Sequence, residues 1–230
     1  MIGIIGAMEE EVAALKESMD IENVTEYASM TFCEGILCGK EVVIVRSGIG
    51  KVNAGICAQI LVDKFNVDAL INTGIAGSLN AKIDIGDVVI SSEALYHDMD
   101  ATEFGDPLGQ VPRMDTLAFP ADEMLIEKAK AANEKVNPDV HTFVGIVASG
   151  DQFIASHEVK EKIVSNFDAY CTEMEGAAIA HAAYLNKVPY VIIRAISDKA
   201  DNSAHMDYPE FEKMAIARNI KLVHEMITSM

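Results

Sequence analysis

Positive charge is scarce in this chain: 18 lysines and arginines stand against 36 aspartates and glutamates, giving a formal net charge of -18 and a sequence pI near 4.6. Such a surface repels phosphate backbones and anionic lipid headgroups, so nucleic acid and membrane are excluded as partners. A small neutral or cationic ligand fits better. Cysteine is sparse too. Cys33, Cys38, Cys57 and Cys171 lie in apolar surroundings, with no CxxC pair and no histidine at a zinc-ligand spacing. Buried, reduced thiols are expected, with neither disulfides nor a structural metal. Long hydrophobic runs are missing as well: no uncharged apolar stretch approaches the roughly 20 residues that cross a bilayer. The opening MIGIIGAMEEEV has no basic leader region and meets acids after eight residues, so a cytoplasmic protein is expected.

What is present is a chain of 230 residues, 50% hydrophobic, long enough for one substantial core and short for two; a single domain over residues 1–230 is expected. Short apolar runs ending in Gly, Ser or Asn alternate with helical patterns. IGIIGAM, TFCEGILC, EVVIVRSGIG, DALINTGIAG, GDVVISS, TFVGIVASGD, DAYCTEM and VPYVIIRAISD read as strands. EEEVAALKESM, KVNAGICAQILVDKF, ADEMLIEKAKAANEKV, VKEKIVSNF, EGAAIAHAAYL and YPEFEKMAIARNIKLVHEMI carry apolar residues at three-to-four spacing and read as helices. This is an α/β chain around a central mixed β-sheet. Residues 97–120 have Pro and Gly throughout and no period, and a loop of that length inside a compact domain is usually functional.

In open α/β sheets, ligands gather beyond the carboxyl ends of the strands. Here those ends read Gly6-Ala7-Met8-Glu9-Glu10-Glu11, Ser47-Gly48-Ile49-Gly50, Asn72-Thr73-Gly74-Ile75-Ala76-Gly77, Ser149-Gly150-Asp151, Glu173-Met174-Glu175 and Arg194-Ala195-Ile196-Ser197-Asp198. Small residues alternate with carboxylates, leaving room for a ligand close to the backbone. Dinucleotide and P-loop cradles do not fit. Gly3 is followed by Ile4, Ile5 and Gly6 rather than G-x-G-x-x-G, Asn53 stands where SGIGKVNAG would need a third glycine, and Val45 occupies the first glycine of a P-loop.

GIIGAMEEEV, RSGIGKVNA, NTGIAGS, YHDMDATEFG, ASGDQFI, TEMEGAAIAH and IRAISDKAD, in that order and over nearly the whole chain, resemble the 5'-methylthioadenosine/S-adenosylhomocysteine nucleosidases of the nucleoside phosphorylase superfamily. The resemblance implies a nucleoside phosphorylase-like three-layer α/β/α fold and hydrolysis of the N-glycosidic bond, without metal or organic cofactor, releasing adenine and a 5-thio-substituted ribose. Cleavage places positive charge on the sugar and negative charge on the purine, so both ends need service. The resemblance assigns Asp198 as general acid toward adenine N7, Glu11 as the carboxylate that orients and deprotonates water, and Arg194 as the cation holding the water and the acidic cluster together. Residues 9, 10 and 11 point about 100° apart on a helix, so Glu9 and Glu10 are controls for Glu11.

Glu175 is expected to accept the 2'- and 3'-hydroxyls of ribose, a charge-assisted pairing that also favours the oxocarbenium-like state. Glu173 belongs to the same stretch of the binding set, although its side chain points elsewhere if the segment is extended there. Phe153 is expected to stack on adenine, with backbone groups of Phe153 and Ile154 beside the base. Met8, Ile49, Met174 and Tyr208 suit a thioether, and Ala76, Gly77 and Ser197 complete the expected contacts. The family pattern also sends residues 97–120 across a homodimer interface, with Ala101, Phe104 and Pro112 closing the partner's pocket. Two departures stand out: Ile75 where some members carry a serine that touches the water, and Ser78 where a third glycine is common.

Taken singly these residues have plainer readings: Glu11 as a first-turn acid, Asp198 with Asp201 as a loop or helix cap, and Glu173-Met174-Glu175-Gly176 as a strand end with solvated charges. Their joint appearance at separate strand ends points to a site. His97, Asp98 and Asp100 lack the further ligands a metal needs, His181 reads as a packed helix residue, and Met124, Met214 and Met226 read as core fillers. Phosphorolysis is a rival, but Glu9, Glu10 and Glu11 at the first strand end would repel a phosphate dianion. Two more rivals are cleavage of futalosine-type nucleosides and nucleoside sensing without catalysis.

Overall fold

The computed structural model describes residues 1–230 apart from the side chain of Met206. Ten strands and six helices follow one another as β1 (Ile2–Gly6), α1 (Glu9–Glu17), β2 (Asp20–Tyr27), β3 (Met30–Leu37), β4 (Lys40–Arg46), α2 (Lys51–Phe65), β5 (Ala69–Ser78), β6 (Val88–Tyr96), β7 (Phe119–Pro120), α3 (Glu123–Val136), β8 (Thr142–Ser149), α4 (His157–Phe167), β9 (Cys171–Glu173), α5 (Gly176–Asn186), β10 (Tyr190–Asp198) and α6 (Ala204–Ser229).

Alternate strand residues feed two cores. Ile5, Val43, Val45, Leu70 and Ile192 pack with Ala54, Cys57 and Leu61 of α2 and Ala177, Ile179 and Ala183 of α5. Their neighbours Ile4, Val42, Ile44, Ile71 and Ile193 pack on the other side with Leu15 of α1, Leu125 and Ala129 of α3, and Leu222, Val223 and Met226 of α6. The period of two is that of a pleated strand, and helices on both faces make three layers, α/β/α. Each fully buried Leu or Ile contributes about 1.5–3 kcal/mol relative to exposure. With both faces covered, every residue of β5 and β10 is buried, as expected of parallel strands between helices.

The sheet runs β10-β6-β8-β9-β5-β1-β4-β3-β2, with β7 against β6, and β10 also pairs with β5 in parallel. Strands β5, β9, β8, β6 and β10 therefore close on themselves as a ring, while β1, β4, β3 and β2 extend from it.

Several sequence expectations change. DIENVTEY forms β2, an edge strand exposed almost throughout, which shows no apolar face because its one partner is β3. It turns into β3 through Ala28 and Ser29, both left-handed. Helix α6 begins at Ala204, ahead of the expected Tyr208, and carries Pro209 inside it. Met124 is 65% exposed rather than a core filler, whereas Met226 is buried. Cys38 is not buried with the other three thiols; it is half-exposed, its Sγ 3.3 Å from Nε2 of His224. His181 does pack as expected, stacked on Phe119 at 4.7 Å with Nδ1 3.1 Å from the Tyr96 hydroxyl. No helix among the described residues is long and apolar enough to cross a membrane.

Candidate active site

The ends of β1, β5, β9 and β10, the segments after β4 and β8, and the start of α6 converge on a cavity of about 480 Å³, within the range of small-molecule sites. Met8, Glu11, Ile49, Ala76, Gly77, Phe153, Ile154, Glu173, Met174, Glu175, Ser197, Asp198 and Tyr208 all line it. Residues far apart in the sequence are thus gathered on one wall.

Glu11 enters because it is the third residue of α1 and folds back over the helix start. One carboxylate oxygen accepts the N–H groups of Ala7 at 2.7 Å and Met8 at 3.0 Å, and the other that of Ile75 at 3.2 Å. Backbone donors at a helix N-terminus are unpaired within the helix, so a carboxylate there satisfies them. Glu9 and Glu10 remain exposed, Glu9 pairing with Lys16 at 3.0 Å. Burial pushes the Glu11 carboxyl above its ordinary range, and Arg194 acts against that rise.

Arg194 lies behind this wall, 1% exposed, and is not itself a lining residue. Its guanidinium donates to Glu173 and, at 2.5 Å, to Asn72 Oδ1. Burial disfavours its charge, but Glu173, Glu11 and Glu175 outweigh that and raise its pKa further. Both Glu173 oxygens are engaged, one by the Ser149 hydroxyl and the other by Arg194 and the N–H groups of Glu175 and Gly176. Glu173 therefore forms wall and brace, leaving the neighbouring Glu175 as the freer carboxylate.

Two glycines of NTGIAG make this packing possible. A side chain on Gly74 would collide with both Arg194 and Glu11, and one on Gly77 would stand 2.7 Å from Asp198 Oδ1. Asp198 ends β10 just after a register shift relative to β5, between Ile196 and Asp198; such bulges commonly re-aim a side chain. Its carboxylate accepts from Ala200 N–H at 2.8 Å and the Ser197 hydroxyl at 2.9 Å. Burial raises its pKa, and Asp207 and Asp201 raise it further.

Glu175 caps α5 and accepts the Gly50 N–H at 2.8 Å. Burial first, then Glu173, push its carboxyl up to about 7. Phe153 is 48% exposed at the mouth, edge-on to Tyr208 with ring centroids 5.7 Å apart. The Tyr208 hydroxyl lies 3.6 Å from Met8 Sδ and 3.1 Å from Glu212. Ile75, one of the two departures from the family pattern, lines the cavity, while Ser78, the other, is buried and donates to the backbone at Asn80 and Ile83.

Ala101, Phe104 and Pro112 are not among the residues lining this chain's cavity: Ala101 is buried, Phe104 is 88% exposed and Pro112 is exposed. Asp98 binds Lys51, and Asp100 accepts from Thr102. Gln152, Thr172, His205 and Pro209 on the cavity wall and the supporting Asn219 are not expected from the sequence, and Asn72 and Ser149 are expected at strand ends but with no supporting role. Asn219 reaches from α6 to the Gly74 carbonyl. Polar residues buried at strand ends or on an inward helix face are the only signal that could have marked them.

The class of this fold and site is the phosphorylase superfamily, whose family model matches residues 1–228. Nucleosidases for 5'-methylthioadenosine and S-adenosylhomocysteine from Staphylococcus carnosus and Staphylococcus aureus are 45% and 43% identical, over the full length of both chains in each case. A crystal structure of such a nucleosidase from Neisseria meningitidis, in complex with methylthio-immucillin-A, superposes with a TM-score of 0.95 at 40% identity, covering 100% of this chain and 99% of that one. Futalosine hydrolase of Helicobacter pylori superposes with a TM-score of 0.94 at 32% identity, covering 100% and 97%. The chain belongs to the 5'-methylthioadenosine/S-adenosylhomocysteine nucleosidase family of this superfamily.

Proposed function

We propose that this chain, as one nucleosidase domain over residues 1–230, hydrolyses the N-glycosidic bond of 5'-methylthioadenosine and S-adenosylhomocysteine, and of 5'-deoxyadenosine. The observation that carries the reading is that Glu11 and Asp198, from opposite ends of the sequence, line one cavity with Glu175. Asp198 in its acid form gives a proton to adenine N7 as the C1'–N9 bond breaks and its electron pair passes to the base. Water held by Glu11 adds to C1', and its proton passes to the Glu11 carboxylate. Adenine and the 5-thio-substituted ribose leave, and proton exchange with solvent restores both groups.

A raised acid and a base steadied by a cation suit this division of labour. Glu175 holds the ribose hydroxyls, Met174 follows the sugar, and Phe153 covers the base. Met8, Ile49 and Tyr208 take the thioether. Phosphorolysis is disfavoured because no lysine or arginine stands among the described lining residues, and a dianion would face Glu11, Glu173 and Glu175. A futalosine-type substrate is the second reading, supported by the Helicobacter pylori likeness.

The reading extends to a cytoplasmic role in methionine salvage and methyl-cycle recycling. It extends also to a homodimer in which Ala101, Phe104 and Pro112 close the partner's thioether pocket. Exposed Val52 and Ile56 on α2, Leu185 on α5 and Phe104 support such an interface. Incubation of the purified chain with 5'-methylthioadenosine in phosphate-free, metal-free buffer is expected to release adenine; no release, or release only with added phosphate, would overturn the reading.

A further inference from the structure

Lys51 stands against the usual rule for helix ends. It opens α2, where the helix dipole favours anions, and α2 has no acidic residue in its first turn. Its ammonium is held instead by both carboxylate oxygens of Asp98, at 2.7 and 2.6 Å, with Asp151 3.6 Å away. Asp151 accepts the backbone N–H of Lys51 at 2.9 Å, and its own N–H donates to Asp98 at 2.9 Å. Three residues thus form a closed circuit joining the start of α2, the segment after β6 and the turn after β8. The Lys51 and Asp98 side chains are only 21% and 19% exposed, which sets the pair apart from open surface ion pairs of little worth. Against the cost of burial, Lys51 and the Asp151 N–H hold the Asp98 carboxyl below its ordinary range.

The residue before Lys51 is Gly50, at φ 97 and ψ 160, a conformation essentially reserved for glycine that persists only where its surroundings fix it. Its N–H is the donor to Glu175, and Asp151 Oδ1 lies 3.3 Å from where a side chain on Gly50 would begin. Two residues beyond Asp151, Phe153 stands on the cavity wall. His97, next to Asp98, donates its N–H to the Ser149 carbonyl at 2.9 Å and so ties the same turn from the other side.

We propose that Lys51, Asp98 and Asp151 are positioning residues for sugar recognition: their circuit fixes the Gly50 N–H on Glu175 and so sets the orientation in which that carboxylate meets the ribose hydroxyls. None of the three lines the cavity. The inference deepens the nucleosidase reading and rests on it.

The test uses the full chain with Lys51→Met and Asp151→Asn, each alone and in a Glu175→Gln background, with 5'-methylthioadenosine as substrate and free adenine as a ribose-less ligand. Each single variant is expected to raise KM about tenfold, the loss of one well-placed hydrogen bond to a charged group. Affinity for adenine stays within about twofold, and in the Glu175→Gln background the same substitution adds less than about twofold, because the charge-assisted contact it orients is already lost. Lys51→Arg keeps the charge and is expected to restore KM to near the wild-type value.

An unchanged KM, an equal loss of adenine affinity, or a full effect in the Glu175→Gln background overturns the inference, since a merely structural role would act on all three alike. Should Asp151→Asn fail to fold, Lys51→Met decides, because it leaves both carboxylates and the backbone bonds in place. Wild-type chain that releases no adenine overturns the functional reading, and the circuit's role falls with it; active wild type with indifferent variants overturns the circuit alone.

Discussion

Glu11 and Asp198 are both buried, each accepts at least one backbone N–H, and burial raises both pKa values. They differ in what stands behind them. The Glu11 side of the cavity is backed by Arg194, which pulls its carboxyl toward ionisation, whereas Asp198 has Asp207 and Asp201 nearby, which push it toward the acid form. These neighbours, none of them lining the cavity, favour ionisation at Glu11 and the acid form at Asp198, which suits the base and acid parts proposed for them.

The harshest way to break the contrast is to remove the cation. Arg194→Met leaves Glu11, Glu173 and Glu175 buried without it, and the expected loss is about 3–5 kcal/mol of stability in denaturant unfolding at neutral pH. A variant as stable as wild type would mean those carboxylates are neutral without its help.

Asp198→Asn and Glu11→Gln are each expected to slow single-turnover adenine release by about 10²–10⁴-fold with the fold intact. The pH profile tells them apart. In the proposed mechanism Glu11 works ionised, so wild-type activity is expected to fall as pH drops through its raised pKa, and Asp198 works protonated, so activity is expected to fall as pH rises through its own. Glu11→Gln is expected to erase the acidic limb and Asp198→Asn the alkaline one, and the reverse pattern would exchange their roles.

A gentler measurement is stability. Because the folded-state pKa of Asp198 lies above its unfolded value, ionisation costs the folded state stability as pH rises through that window. Asp198→Asn is therefore expected to be more stable than wild type by about 0.5–2 kcal/mol at pH 8, with the gain fading toward pH 4. A melting curve with no such pH dependence would place the charge in solvent. Smallest is Phe104→Ala, which on the proposed homodimer is expected to raise KM about fivefold through loss of one interface contact, with no change in melting temperature; identical KM would remove residue 104 from the proposed partner's pocket.

Much of this was legible in the chain. The apolar runs that became β1, β4, β5 and β10 had to be buried on both faces, and the carboxylates just after them had to stand at the strand ends. Helix geometry let only one or two of Glu9, Glu10 and Glu11 face a pocket, and the family resemblance picked out Glu11. What stayed hidden depends on closeness across the fold: Gly74 reads as one more small residue until Arg194 and Glu11 meet beside it. Asn72, Ser149 and Asn219 carry no local pattern, because their partners lie 122, 24 and 145 residues away. β2 escaped for the opposite reason: an edge strand with water on nearly all sides has no need of an apolar stripe.

The hoop of five strands has a mechanical corollary. A sheet with free margins can splay or slide to admit a guest, but one whose last strand is bonded back to an earlier member resists such distortion in every direction. Any movement that admits a nucleoside is therefore expected in parts outside the hoop, such as the Phe153 segment and the leading turns of α6, while Asp198, at the end of a hoop strand, is expected to keep its place.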